Sequence, residues 1–197
     1  RLATFAGHVL TVAAAGDRTA EERRSLEDLS LRACELAHSI EPGLVEAIHG
    51  LATIEELRKN YDAALRVVDR CLAGLGSLDP HKQIGTRYSL LLSKSRIALA
   101  WAERLRADGR RDADSQVRDL MTRALEDLDR GDRLGVNWAD HRVNSSYYRV
   151  YATLILAEIA IDHDQDSEAK RLIERADQSF ETLRQFDRVR ARELAKL

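Results

Sequence analysis

Two prolines, ten glycines and 5% aromatic residues leave this 197-residue chain short of helix breakers and of the residues that favour strands. Alanine, leucine, arginine and glutamate are abundant instead, and these lose little side-chain freedom in a helix. The expected fold class is therefore all-α, with strands absent or minor. The net charge of −2 excludes a global field that would draw the chain to nucleic acid or an anionic membrane, so neither is expected as a partner. Only five of the 31 basic residues are lysine. The arginine excess is a bias of the whole chain, and a local arginine cluster weighs correspondingly less. Two cysteines, Cys34 and Cys71, are too few and too far apart for a zinc cluster. Both sit in apolar helical patterns and read as buried free thiols of a reducing compartment, which points to the cytoplasm.

Long apolar runs are also lacking. Leu2 to Ala15 carries one ionisable side chain, His8, but falls short of the roughly 20 residues of a membrane span. It has no basic leader of the signal-peptide kind. It reads as the buried first helix of a piece cut from a longer chain. What remains, 44% hydrophobic and 32% charged with both signs interspersed, describes one folded domain over residues 1–197.

Periodicity divides the chain into four helical hairpins, about 1–42, 43–80, 81–131 and 136–197. Gly16-Asp17 ends the first helix, and Thr19-Ala-Glu-Glu22 is a capping-box pattern opening a second that runs to about Ile40. Its apolar positions, Leu26, Leu29, Ala33, Leu36 and Ala37, recur at three or four residues. Pro42 closes it. Val45 to Pro80 is a complete helix-turn-helix unit, with Ile48, Leu51 and Ala52 on one stripe and Tyr61, Ala64, Val68 and Cys71 on the other. The polar break is at Lys59-Asn60. Further helices are expected from about Lys82 to Ala107, Ser115 to Asp129 and Trp138 to Ile161. The charged stretch Asp108 to Asp114 reads as a loop, and Gly131 to Gly135 as an interruption. Ser167 is expected to cap a last helix that meets no glycine or proline before Leu197.

An internal repeat supports this division. Leu51-Ala52, Ala64 and Cys71 are matched by Leu156-Ala157, Ala169 and Ala176 at the same intervals, with Val68 and Ile173 as the paired large residues. Small residues at such places allow helices to approach closely. In these spacings the chain resembles the tetratricopeptide repeat family, whose unit is a pair of antiparallel helices of about 34 residues. The resemblance implies an α-α superhelix and a protein-binding scaffold. It implies no cofactor and leaves the ligand unnamed.

The residues themselves supply little for an enzyme. The six histidines form no familiar ligand pair, His163-Asp-Gln-Asp166 reads as a solvated turn, and Gly131 to Gly135 lacks the features of a phosphate loop. No catalytic or metal-binding residue is assigned. Carrying the family's groove onto the second hairpin selects Glu46, His49, Thr53 and Glu56 as partner-facing, a set that argues against a C-terminal carboxylate clamp. On the third hairpin Arg87, Lys94 and Trp101 share a stripe. On the fourth the groove takes Tyr151, Leu154 and Glu158. The richest local composition is Asn137 to Tyr151, where Asn137, His141, Asn144, Tyr148 and Tyr151 make a polar, aromatic face of the kind enriched at recognition surfaces. The expected function is a scaffold that binds a peptide or partner domain. The alternative is a sensory domain passing a ligand signal to flanking domains of the same chain.

Overall fold

The computed structural model describes residues 19–41, 44–77, 80–109, 113–136, 139–187 and 191. Among them every regular element is helical: α1 (Ala20–Ile40), α2 (Val45–Leu57), α3 (Tyr61–Gly74), a 3-10 turn (Leu75–Ser77), α4 (Pro80–Ala107), α5 (Ala113–Asp132), α6 (Ala139–Asp162) and α7 (Asp166–Phe186). The all-α expectation holds. The chain divides into two compact units, the boundary falling after Leu90 within α4. The expected helix from Leu2 to Ala15 lies outside the described residues.

In the first unit α1 packs on α2, and α2 on α3. The start of α1 is a capping box: the Thr19 hydroxyl accepts from the Glu22 amide at 3.2 Å, and the Glu22 carboxylate accepts from the Thr19 amide at 2.8 Å. Its buried face differs from the leucine stripe expected. Glu27, Ser30, Ala33, Cys34 and Ala37 are inside, while Leu29 and Leu36 are 47% and 51% exposed. The reason is close approach. A Cβ built on Gly50 of α2 would come nearer than 3.0 Å to Cys34 Sγ, so the two helices meet across a seam of small side chains and the bulkier leucines fall to its flanks. Ala33 and Cys34 pack with Leu51, and Ala37 with Ala47 and Leu44. At the end of α2, Arg58 reaches back to α1, its guanidinium 2.6 Å from Asp28 and 3.5 Å from the largely buried Glu27.

The turn between α2 and α3 is built like the turn between α6 and α7. Lys59 and Asp164 both take positive φ, 62° and 55°. The amides of Lys59 and Asn60 donate to Glu56 O and Glu55 O at 2.8 Å each, and those of Asp164 and Gln165 donate to Ile161 O at 3.0 Å and Ala160 O at 2.8 Å. Both are Schellman closures, in which a left-handed residue turns the chain and satisfies the last free carbonyls. Each bond of the first turn recurs 105 positions on, as the Arg58-to-Ile54 and His163-to-Ile159 pairs illustrate. The small residues of the sequence repeat are buried in both copies: Ala52, Ala64 and Cys71, then Ala157, Ala169 and Ala176. The large pair is not equivalent. Val68 is fully buried, whereas Ile173 is 42% exposed and Leu172 takes the inward position.

In the second unit, the middle of α4 meets α5 through two polar links. Ser95 Oγ lies 3.0 Å from Leu91 O and 3.2 Å from Ala124 O, and Lys94 Nζ is 3.2 Å from the buried Asp127 carboxylate. α6 packs on α5 and on α7. Three expected boundaries need correction. α5 begins at Ala113, which is buried, so the exposed loop expected over 108–114 is shorter; residues 110–112 lie outside the described set. Gly131 is helical and buried in α5, and the chain reverses at Arg133 to Gly135, where Gly135 has φ +69°. Ser167 lies inside α7; the N-cap position belongs to Gln165, which makes no side-chain capping bond. α7 stops at Phe186 because Asp187 is extended, and Ala191 packs against Val150 and Leu183. Tertiary burial there overrides a local sequence that carries no stop signal.

Candidate functional site

The second unit carries an open depression of about 650 Å³, lined from three directions. Asp132, Gly135 and Val136 come from the end of α5 and the turn after it. Arg142, Ser145, Ser146 and Arg149 come from α6, and Arg175, Gln178, Ser179 and Thr182 from α7. The intervals on α6 and α7 are three, four and seven, so each helix presents one face to the depression.

The cationic side chains are held in different ways. Arg149 is the most deeply set, its side chain 14% exposed, and forks between Asp129 at 2.5 Å and Asp132 at 2.6 Å. Arg175 approaches Asp129 at 3.6 Å. Arg142 is bridged to neither aspartate; its guanidinium lies 6.0 Å over the Phe186 ring. A cation over an aromatic face is attracted by the ring's quadrupole, and the contact sets the Arg142 guanidinium beside that ring. The Ser145 hydroxyl donates to Asp132 Oδ1 at 3.3 Å, while the hydroxyls of Ser179 and Thr182 donate to Arg175 O at 3.3 Å and Gln178 O at 3.2 Å. Their protons are engaged, so these oxygens face a ligand as acceptors. The site thus combines guanidinium donors, an amide and hydroxyl acceptors.

Beside it on α6 stands the tyrosine group. Tyr147 stacks on Tyr151 with centroids 6.3 Å apart, and meets Tyr148 edge-on at 5.8 Å. Tyr147 and Tyr151 also pack against Val150, Leu183 and Ala191. The Tyr151 hydroxyl donates to Glu103 Oε1 at 2.6 Å, and burial followed by this bond raises its pKa to about 12. A neighbouring ion pair, Arg106 with Glu158, likewise joins α4 to α6.

The structure distributes the sequence-predicted residues unevenly. His141, Asn144, Tyr148 and Tyr151 are all half-buried on α6, on the stripe adjoining the depression's lining; Asn137 lies outside the described residues. His141 has its pKa lowered by burial, partly offset by Asp140. Lys94 is engaged with Asp127 inside the second unit. Glu46 and Arg87 are exposed and His49 and Thr53 half-buried, all in the first unit, and none of them lines the depression. The depression itself escaped sequence reasoning, though two signals were present. Ser145-Ser146 is a pair of weak helix formers in mid-helix, and Arg142 and Arg149 flank it at one heptad's spacing.

Among the described residues, no group of three or more His, Cys, Asp or Glu side chains is placed to hold a metal, and no helix is long and apolar enough to cross a membrane. Both cysteines are buried and unbridged, their pKa values raised by burial. No protein-family model, curated protein or solved structure matches this chain.

Proposed function

We propose that this chain is a protein-interaction module of tetratricopeptide-like build, which receives an extended peptide segment of its partner along α6 and α7. The observation that carries the reading is the depression lined by Arg142, Arg149, Arg175, Gln178 and four hydroxyl side chains, with the tyrosine group beside it. A peptide backbone offers donors to the hydroxyl oxygens and acceptors to the guanidinium groups, and tyrosines give large contact area at small entropic cost. The recurrence of one turn geometry and one small-residue pattern at a constant interval supports a repeat architecture, the kind that stacks helical pairs into binding surfaces. The cytoplasm is the compartment proposed, on the two unbridged thiols.

A second reading rests on the size of the depression, which falls within the range of small-molecule sites, roughly 300–1,000 Å³. In it the chain is a sensory domain. The two separate in one experiment: a random-peptide display library panned on the whole chain, with Ser146→Trp as the filled-site variant. Enriched peptides whose capture is lost in Ser146→Trp support the module. Failure to enrich any peptide, or capture indifferent to the substitution, overturns it.

A further inference from the structure

We infer that the depression between α6 and α7 is a subsite for one acidic side chain of an incoming peptide, with Arg142 as its principal cationic contact. The inference rests on the peptide-binding reading and names the chemistry that reading leaves open. Three guanidinium groups line the site, and two carboxylates, Asp129 and Asp132, hold two of them. Arg142 is the guanidinium that neither aspartate bridges.

Each arginine has a distinct part. Arg149 is a fixed floor, since its forked bonds to Asp129 and Asp132 leave the side chain little freedom. Arg175 shares Asp129 at a longer 3.6 Å and keeps N–H groups for another acceptor. Arg142 is placed by the Phe186 ring, so its fork loses less freedom when it meets a carboxylate. A guanidinium offers two parallel N–H groups to a carboxylate, a pairing stronger than neutral hydrogen bonds.

The same arrangement selects against a doubly charged group. Asp132 lines the depression and Asp129 bridges Arg149 and Arg175, so a phosphate dianion meets these carboxylates while two of the three guanidinium groups are already paired. A monoanionic carboxylate needs only the guanidinium that neither aspartate bridges. Engaged hydroxyls at Ser145, Ser179 and Thr182 add acceptors, which suit the N–H groups of a backbone better than phosphate oxygens.

The test uses the whole chain and blocked single residues as probes: N-acetylglutamate N-methylamide, its glutamine counterpart and its phosphoserine counterpart, followed through arginine Nε–H signals by NMR. The glutamate probe is expected to shift the Arg142 and Arg175 signals and to bind about tenfold more tightly than the glutamine probe. Arg142→Gln is expected to remove that advantage, whereas Arg123→Gln, on an exposed position of α5, leaves it intact. Equal binding of the glutamate and glutamine probes, tighter binding of phosphoserine, or no shift at Arg142 overturns the inference. If the library yields groove-dependent peptides without an acidic preference, the inference fails and the module stands. If the glutamate probe binds through Arg142 but no peptide is enriched, the acidic subsite stands and the module reading fails.

Discussion

Gly50→Ala tests whether the α1–α2 seam is set by close approach. The new methyl would fall nearer than 3.0 Å to Cys34 Sγ, a separation that real Cβ atoms essentially never show. Cys34 is fully buried, so its thiol has little room to rotate away. Overpacking of this kind costs roughly 1–3 kcal/mol, and the overlap with a buried atom places this case in the upper half. Alanine in a helix interior returns about 1 kcal/mol relative to glycine. The net expectation is a loss of about 1–2 kcal/mol. Cys34→Ala removes the sulfur and leaves the Cys34 Cβ position 3.8 Å from the new methyl, an ordinary contact. The double variant should therefore recover most of the loss, with a coupling energy of about 2 kcal/mol between the two sites. Urea unfolding followed by circular dichroism measures the four stabilities, and hydrogen exchange of the α1 and α2 amides assigns the change to the first unit. A stabilised Gly50→Ala variant, with no coupling to Cys34, would refute the close-approach argument.

The matched turns predict a gain from Lys59→Gly or Asp164→Gly. Each relieves a left-handed residue of about 1 kcal/mol, partly offset by the greater freedom of glycine in the unfolded chain, for a net gain of a few tenths to 1 kcal/mol. Thermal melts that show a loss at both positions would contradict the Schellman geometry. For Tyr151, the folded pKa of about 12 lies above the ordinary value of 10, so the fold holds that proton more tightly than the unfolded chain. Its contribution is complete below pH 10 and is lost as pH rises towards 12. An ultraviolet titration of the folded chain should show one late-ionising tyrosine that disappears in Tyr151→Phe and titrates earlier in Glu103→Gln. Identical curves for wild type and Tyr151→Phe would reject the assignment.

Local chemistry was enough to read the elements and much of one hairpin. The scarcity of proline, the capping box at Thr19 and the break at Lys59-Asn60 act over a few residues, so sequence suffices to place α1, α2 and α3. The small-residue repeat was legible for the same reason, because its intervals are properties of single helices. Which face a helix buries depends on its neighbour. Leu29 and Leu36 satisfy helical periodicity, yet the glycine opposite Cys34 draws α2 onto the small side chains instead. α7 likewise stops at Phe186 without a local signal, where Ala191 packs against Val150 and Leu183.

The candidate site divides along the same line. That residues 137–151 are unusual was visible in their composition, and the tyrosines do stand on α6. The depression is made by Arg142, Ser145, Ser146 and Arg149, one stripe over, because only the packing of α5, α6 and α7 decides which stripe meets a gap and which meets a helix. Helix and turn are short-range consequences of residue order. The pairing of Arg149 with Asp129 and Asp132 joins residues 20 and 17 positions apart, and such long-range juxtapositions exist only once the helices have packed.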